Sequence, residues 1–246
     1  MSAIFGATAK RLSTTLATGI APNEHGLIAC WYNRTVGATV FDDKLLELKS
    51  ANIATGGQLR VENTTGPTIF ASAIRGSSGR SAVQATALEE GVWRLAGGYC
   101  PPSTDVSGNV KGWDNGTPAT LELPLFDTTD DMVAFSIGQG GNFNSYSFWH
   151  GRLAEVALFK VGSEVEADTI MAALGTDAAD DISLPAGSTL LAYYPLLDDA
   201  SAVVGPALTN NGSVTFDGAD HPSLGGGGDP SVFANPFALL GVGRSA

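Results

Sequence analysis

The most regular apolar pattern of the chain covers residues 153–161, where only Glu155 and Lys160 interrupt an apolar run. Side chains of a β-strand alternate between two faces, and both faces are apolar here. The predicted faces are Ala154, Val156 and Leu158 on one side, and Leu153, Ala157 and Phe159 with Glu155 on the other. A strand that is apolar on both faces lies inside a covered sheet. The pattern predicts a central buried strand, with Glu155 at an edge or facing solvent.

Directly after this strand the apolar period becomes that of a helix. Apolar residues recur at i, i+3, i+4 and i+7, at positions Ala167, Ile170, Met171 and Leu174. Ser163 and Glu166 have the spacing of a capping box, and Gly175 stands where a left-handed C-cap is expected. The sequence therefore predicts one short helix near residues 164–174.

Shorter strand patterns and turn signals recur along the rest of the chain. Residues 26–36 (GLIACWYNRTV) are rich in β-branched and aromatic residues. Residues 58–62 alternate, with Leu59 and Val61 predicted to face inward. Asn115-Gly116 is a hairpin signal between two strand patterns. Residues 1–9 show no period and are predicted to form an N-terminal arm. These patterns indicate an all-β domain with many turns.

Several motifs resemble those of one known family. Residues 148–159 (FWHGRLAEVALF), followed by a helix ending in AALG, resemble the C-terminal signature of laminin-G-like domains, which belong to the concanavalin A-like lectin/glucanase superfamily. Residues 91–97 (GVWRLAG), 111–116 (KGWDNG) and 135–138 (FSIG) resemble earlier strands of that domain. Residues 190–196 (LLAYYPL) and 220–222 (DHP) resemble extensions found in bacteriophage and prophage proteins. The resemblance covers residues 10–222 and implies a two-sheet antiparallel jelly-roll sandwich.

Composition narrows the classes of partner. The 13 cationic and 25 anionic residues give a net charge of −12, which disfavours binding to nucleic acid or to an anionic membrane. No signal peptide is recognisable at the start of the sequence, so synthesis in a host cytoplasm is expected. Cys30 and Cys100 are predicted to be buried free thiols, with a disulfide between the sheets as the alternative.

Catalytic and metal-binding patterns are weak. The E-x-D-x-x-E strand motif of the glucanases in this superfamily is absent, because Glu155 is followed by Ala157 and Lys160 at the positions of its acidic partners. His25, His150 and His221 have no second His or Cys at metal-ligand spacing. We therefore predict a non-enzymatic protein without a cofactor. Calcium remains an alternative, because acidic pairs occur at Asp42-Asp43, Asp130-Asp131, Asp180-Asp181 and Asp198-Asp199.

Two loops have the residue types of a glycan site, in which an aromatic ring stacks on a sugar and amides or carboxylates bond its hydroxyls. Their residues are Trp113, Asp114 and Asn115 in one loop, and Asn142, Phe143, Asn144 and Tyr146 in the other. Both stretches are also good turn sequences, and Trp113 is alternatively a cap on the core. A carbohydrate-binding module that recognises a host or environmental glycan is therefore one functional hypothesis.

The C-terminal segment, residues 223–246, combines a glycine run with an apolar tail. The apolar tail residues are Phe233, Phe237, Leu239, Leu240 and Val242. Such a tail either folds back on its own domain or docks on another chain. Together with the phage-like resemblance, it favours a non-enzymatic bacteriophage virion protein. The expected role is a capsid decoration, head-spike or tail-associated subunit, anchored to other virion chains or to copies of itself through its terminal segments.

Overall fold

The computed structural model describes residues 2–5, 10–35, 43–52, 57–64, 68–75, 78–83, 90–105, 108–122, 129–138, 149–197, 199–217, 222 and 224. Its elements in chain order are β1 (Ser2–Phe5), β2 (Arg11–Ile20), β3 (His25–Arg34), β4 (Asp43–Lys49), β5 (Gly57–Thr64), β6 (Thr68–Arg75), β7 (Ser78–Val83), β8 (Trp93–Cys100), β9 (Asn109–Asp114), β10 (Thr117–Glu122), β11 (Met132–Ile137), β12 (Gly151–Val161), α1 (Glu164–Ala173), β13 (Thr189–Tyr194), β14 (Thr209–Asn211) and β15 (Thr215–Asp217).

The strands form two antiparallel sheets. Sheet A has the order β10-β9-β8-β3-β12-β1-β15, and β13 also pairs with β12. Sheet B has the order β14-β2-β11-β4-β5-β6-β7. The apolar inner faces of the two sheets pack on each other, through residues such as Leu12, Ile28, Phe135 and Leu158. The predicted all-β, two-sheet jelly-roll sandwich with one short helix is confirmed.

A second apolar cluster covers the outer face of sheet A. Ala167, Ile170 and Met171 of α1 pack there against strand residues such as Trp31 and Phe159. Partly buried apolar residues of the segment after the helix, including Ile182 and Leu184, extend the cover. Strand β12 is therefore buried on both sides, as its sequence predicts. The described helix has ten residues, and no helix in the described part of the chain is long and apolar enough to cross a membrane.

A β-bulge in β12 corrects two predictions. The pairing with β3 shifts register between Ala154 and Ala157, and Glu155 has a φ of 51°. Because one extra residue is inserted, Leu153 lies with Val156 in the sandwich core, whereas Ala154 lies with Ala157 under the helix. The predicted faces of Leu153 and Ala154 were wrong. The prediction for Glu155 was also wrong, since this side chain is only 6% exposed and accepts a hydrogen bond from the Tyr193 hydroxyl.

The N-terminal arm predicted for residues 1–9 is corrected where the chain is described. Ser2–Phe5 forms β1, which pairs with β12 through Ala3–Leu153 and with β15 through Ala3–Phe216. Ala3 and Phe5 are buried in the sandwich core. Four residues are too few to display a period, so the sequence pattern carried no signal for this strand.

The cysteines and the hairpin follow the sequence. Cys30 and Cys100 are free and buried, and burial raises the pKa of the Cys30 thiol above its usual range. The predicted buried thiols are confirmed. Asn115 and Gly116 join β9 to β10 with φ angles of 50° and 79°, the two positive values that a type I′ hairpin turn requires.

The N-terminus of α1 follows the predicted cap, and its C-terminus does not. The Ser163 hydroxyl accepts a 3.2 Å hydrogen bond from the Glu166 amide. The Glu166 carboxylate accepts hydrogen bonds from the Gly162 amide (2.8 Å) and the Ser188 hydroxyl (2.6 Å). At the other end, Leu174 is the C-cap in right-handed helical conformation. The left-handed Gly175 cap was therefore a wrong prediction.

Replacing Ser163 with alanine removes the side-chain acceptor for the Glu166 amide. We expect the free energy of unfolding to fall by about 1 kcal/mol. Urea denaturation followed by circular dichroism measures this change. Thr169→Ala is the matched control, because its hydroxyl donates to the Val165 carbonyl within the same helix, and its loss is expected to cost less. Equal losses in the two variants would contradict a capping role for Ser163.

Candidate functional site

The outer face of sheet B differs from that of sheet A because the described part of it is polar. Leu12 of β2, Leu48 of β4 and Ile137 of β11 point into the sandwich core. Because side chains alternate along a strand, the residues adjacent to them in each strand point outward. The strand registers place these outward residues in two rows across the sheet. One row is Thr209, Ser13, Ser136, Glu47 and Arg60, and the other is Thr15, Ala134, Lys49 and Gln58.

Members of both rows, together with neighbouring strand residues, line a groove of about 420 Å³, which we call the sheet B groove. Its lining residues are Arg11, Ser13, Thr14, Thr15, Lys49, Ala134, Phe135, Ser136 and Thr209. They come from β2, β4, β11 and β14. Most outward side chains there are short and carry hydroxyls, which leaves room over the sheet and offers both donors and acceptors of hydrogen bonds.

Polar contacts hold the sheet beside and within the groove. Glu47, next to Ser136, is fully buried, and its Oε1 lies 3.1 Å from Arg60 Nε. Gln58 Nε2 donates a hydrogen bond to the same Glu47 oxygen. Across the groove, Asn211 Nδ2 donates a 3.0 Å hydrogen bond to Ser13 Oγ. The one carboxylate beside the described groove is therefore paired with a cation and an amide rather than presented to a ligand.

The first predicted glycan loop has most of its side chains inside the protein. Trp113 is 3% exposed and packs in the cluster under α1, with the Lys111 ammonium 5.4 Å from its ring centroid. Asp114 is 1% exposed. Neither side chain is accessible to a sugar in this structure, and only Asn115 of this loop is exposed. The alternative reading of Trp113, as part of the core, is the one that the structure shows.

The contacts of Asp114 explain why it is inward. Its Oδ2 lies 3.2 Å from Arg94 Nη2, and its Oδ1 accepts a 2.8 Å hydrogen bond from the Tyr32 hydroxyl. Burial is the main cause that raises the pKa of Tyr32, and the negative charge of Asp114 raises it further. The Tyr32 hydroxyl therefore keeps its proton and remains a donor. This cluster stabilises sheet A at the β9–β10 hairpin.

The other predicted site residues lie outside the described residues. They are Asn142, Phe143, Asn144 and Tyr146 of the second loop, and Phe233, Phe237, Leu239, Leu240 and Val242 of the tail. The glycan and assembly hypotheses for them remain predictions.

The described histidines and acidic residues do not form a metal centre. The His25 ring stacks on Tyr99, and its Nδ1 lies 2.7 Å from the Tyr99 hydroxyl. The pKa of His150 is lowered mainly because the ring is partly buried, and the positive charge of Arg34 lowers it further. Among the described residues there is no group of three or more His, Cys, Asp and Glu side chains arranged to hold a metal ion.

Sequence reasoning missed the sheet B groove. Its residues are common strand residues from four separate segments, and no motif marks any of them. The available signal was the alternation of Leu12 and Leu16 with polar residues in β2, which shows that one face of that strand is outward. The neighbours on that face depend on strand order, which no local pattern specifies.

Comparison with known proteins identifies the fold. A candidate carbohydrate-binding protein from Bacteroides ovatus has a similar structure, with a TM-score of 0.54, 18% sequence identity and coverage of 88% of this chain and 60% of that one. The chain has the concanavalin A-like jelly-roll fold. The resemblance seen in the sequence motifs is thereby confirmed at the level of fold.

Two further solved structures show lower similarity. A heptameric SAP-like pentraxin from Limulus polyphemus has a TM-score of 0.47 and 14% identity, covering 64% of this chain and 74% of that one. Tailspike protein 2 of bacteriophage CBA120 has a TM-score of 0.47 and 13% identity, covering 73% of this chain and 28% of that one. No family model and no curated protein matches the sequence.

Proposed function

We propose that this concanavalin A-like domain is a non-enzymatic carbohydrate-binding module whose ligand lies in the sheet B groove. The observation that carries the proposal is a concave, hydroxyl-lined groove on the outer face of sheet B, whereas the corresponding face of sheet A lies under α1. Sugar hydroxyls both donate and accept hydrogen bonds, and so do the hydroxyls of Ser13, Thr15 and Ser136. The groove volume of about 420 Å³ is in the range of small-molecule sites.

The chemistry of the groove favours binding over hydrolysis. Glycoside hydrolysis normally uses two carboxyl groups that flank the bond to be cleaved. No Asp or Glu is among the residues that line the groove in the described part of the chain. Glu47 lies beside it but is bonded to Arg60 and Gln58. A solved structure with a similar fold that is named for carbohydrate binding adds support at the level of fold.

Filling the groove tests the proposal. Thr15 is exposed and lines the groove, so Thr15→Trp places a large ring where the ligand is expected. We expect this variant to lose at least about tenfold in affinity for any oligosaccharide that binds the wild-type protein, which corresponds to about 1.4 kcal/mol. A glycan array finds the ligand, and isothermal titration calorimetry measures the affinity.

The matched control is Thr189→Trp, the same change at an exposed position of β13 in sheet A. We expect it to bind like the wild type. Retained affinity in Thr15→Trp would contradict a site in the sheet B groove. Failure of the wild-type protein to bind any glycan on the array would contradict the proposed function itself.

The role as a bacteriophage virion structural protein remains a prediction that rests on the apolar tail and on the phage-like motifs. Three further points likewise remain predictions. They are the virion location, the contacts with other virion chains or with copies of this chain, and the absence of a cofactor or calcium. A glycan-binding domain displayed on a virion satisfies both hypotheses, because the groove and the tail are separate parts of the chain.

A further inference from the structure

We propose that the ligand of the sheet B groove is an acidic oligosaccharide, with Lys49 and Arg11 binding its anionic groups. The inference rests on the proposed carbohydrate-binding function and goes further by specifying the charge and the length of the ligand. The ligand could carry its negative charge on carboxylate or on sulfate groups, and in either case it is a sugar chain with anionic groups.

The charged residues that line the described groove carry charge of one sign. The whole chain carries 25 anionic and 13 cationic residues. Of the residues that line the described groove, Arg11 and Lys49 are charged, and both are cations. The carboxylate of neighbouring Glu47 is paired with Arg60 at 3.1 Å. A lining whose two charged residues are both cations is therefore a local feature of an acidic protein, and it complements an anionic ligand.

The Lys49 side chain is placed to bind an anion. It is half-buried on the outer face, beside Ala134 of β11 and Gln58 of β5. Within the described part of the chain its ammonium makes no hydrogen bond or ion pair, in contrast to Lys111, which is paired with Glu164 and Asp168. An ammonium group in a groove of hydroxyls is positioned to donate to an anionic oxygen, and such charge-assisted bonds are stronger than neutral ones.

The two cations lie well apart on the outer face of sheet B. Ser13 pairs with Ser136, and Ala134 pairs with Lys49. Because Ala134 also pairs with Thr15, Lys49 is level with Thr15, which lies four residues along β2 from Arg11. Strand β11 lies between β2 and β4, so the two cations are also two strands apart across the sheet. With standard strand dimensions this is roughly 13 Å by about 10 Å, or roughly 16 Å between the two Cα atoms.

The hydroxyl side chains of Ser13 and Ser136 lie between the two cations. The two Cα atoms are farther apart than a single sugar ring is long, so a ligand that reaches both side chains without their folding toward each other is an oligosaccharide. The arrangement fits a chain whose hydroxyls contact the serines while two of its anionic groups reach Arg11 and Lys49.

The test compares acidic sugars with matched neutral ones. Calorimetry on the full chain would measure the affinity for trigalacturonate, for its methyl ester, which has the same rings without the charges, and for a sulfated oligosaccharide of similar length. We expect the carboxylated or the sulfated ligand to bind at least about tenfold more tightly than the methyl ester, with an affinity that falls as salt increases. The carboxylate and sulfate arms show which anion the groove prefers.

Variants assign the effect to residues. Lys49→Gln and Arg11→Gln are each expected to weaken binding of the acidic ligand roughly tenfold and to leave the methyl ester nearly unaffected. Lys160→Gln is the control of equal charge change, because Lys160 lies in β12 of sheet A, paired with Glu24. Thermal unfolding of each variant checks that it is folded.

The outcomes separate the two proposals. If neutral and acidic sugars bind equally, or if Lys160→Gln weakens binding as much as Lys49→Gln, the acidic-ligand inference is overturned and the carbohydrate-binding function remains. If neither kind of sugar binds here or on the glycan array, the proposed function fails and the inference fails with it.

Discussion

Replacing Asp114 with alanine is expected to lower the free energy of unfolding by about 3–5 kcal/mol, because it leaves a buried guanidinium without its carboxylate. Arg94 is 7% exposed at the side chain and lies 3.2 Å from Asp114. The same change removes the acceptor of the Tyr32 hydroxyl. Urea denaturation of the wild type and the variant, with the m-value compared between them, gives the difference.

A double variant separates charge burial from simple loss of a contact. Arg94→Met with Asp114→Leu removes both charges and keeps side chains of useful volume, so we expect it to be more stable than Asp114→Ala alone. Tyr32→Phe, which removes only the hydroxyl, is expected to cost about 1 kcal/mol. A loss below about 1 kcal/mol for Asp114→Ala would show that the pair is solvated, as surface ion pairs are.

Replacing Gly138 with alanine is expected to destabilise the protein by about 2–5 kcal/mol, the sum of backbone strain and overpacking. Gly138 has a φ of 82°, which disfavours any residue with a Cβ. A Cβ built there would lie 2.1 Å from the Phe5 ring, which is buried in the core. Thermal or urea unfolding of the variant measures the loss.

The control for this prediction has the same backbone strain without the collision. Gly116 has a φ of 79°, and a Cβ there would meet no atom of the described residues within 4 Å. Gly116→Ala is therefore expected to cost only about 1–2 kcal/mol. Adding Phe5→Ala is expected to lower the free energy of unfolding less in Gly138→Ala than in Gly116→Ala, because removing the ring relieves the collision with the new methyl group at position 138. Equal losses for Gly138→Ala and Gly116→Ala would contradict the packing of Phe5 on Gly138, and with it the position of β1 in sheet A.

Local patterns predicted the elements whose signals are local. The period change after residue 161 located α1, and the Asn115-Gly116 pair located a hairpin turn. The bulge at Glu155 could not be predicted, because an inserted residue leaves the composition of an apolar run unchanged. It places Leu153 and Ala154 each on the face opposite to the one that strict alternation predicts. Similarly, Ser2–Phe5 is a strand because β12 and β15 flank it, not because of its own pattern.

The candidate site depends even more on long-range order. Ser13, Lys49 and Ser136 are far apart in sequence and become neighbours only through the pairing of β2 and β4 with β11. Trp113 also shows that residue type alone does not determine where a side chain lies. Its residue type and its place beside a turn are typical of a sugar-stacking residue, but the strand register directs it under α1. Residue types suggested a carbohydrate-binding hypothesis, whereas the groove that we propose as its site could be located only from the strand order of the sheet.

The most direct test of the central claim is an NMR titration of the isotope-labelled full chain with an oligosaccharide identified on a glycan array. If the ligand lies in the sheet B groove, the largest amide shifts will occur in β2, β4 and β11, around Ser13, Lys49 and Ser136. Shifts concentrated instead at the Asn115 hairpin or in residues 139–148, with those three strands unchanged, would contradict the assignment of the site to the sheet B groove.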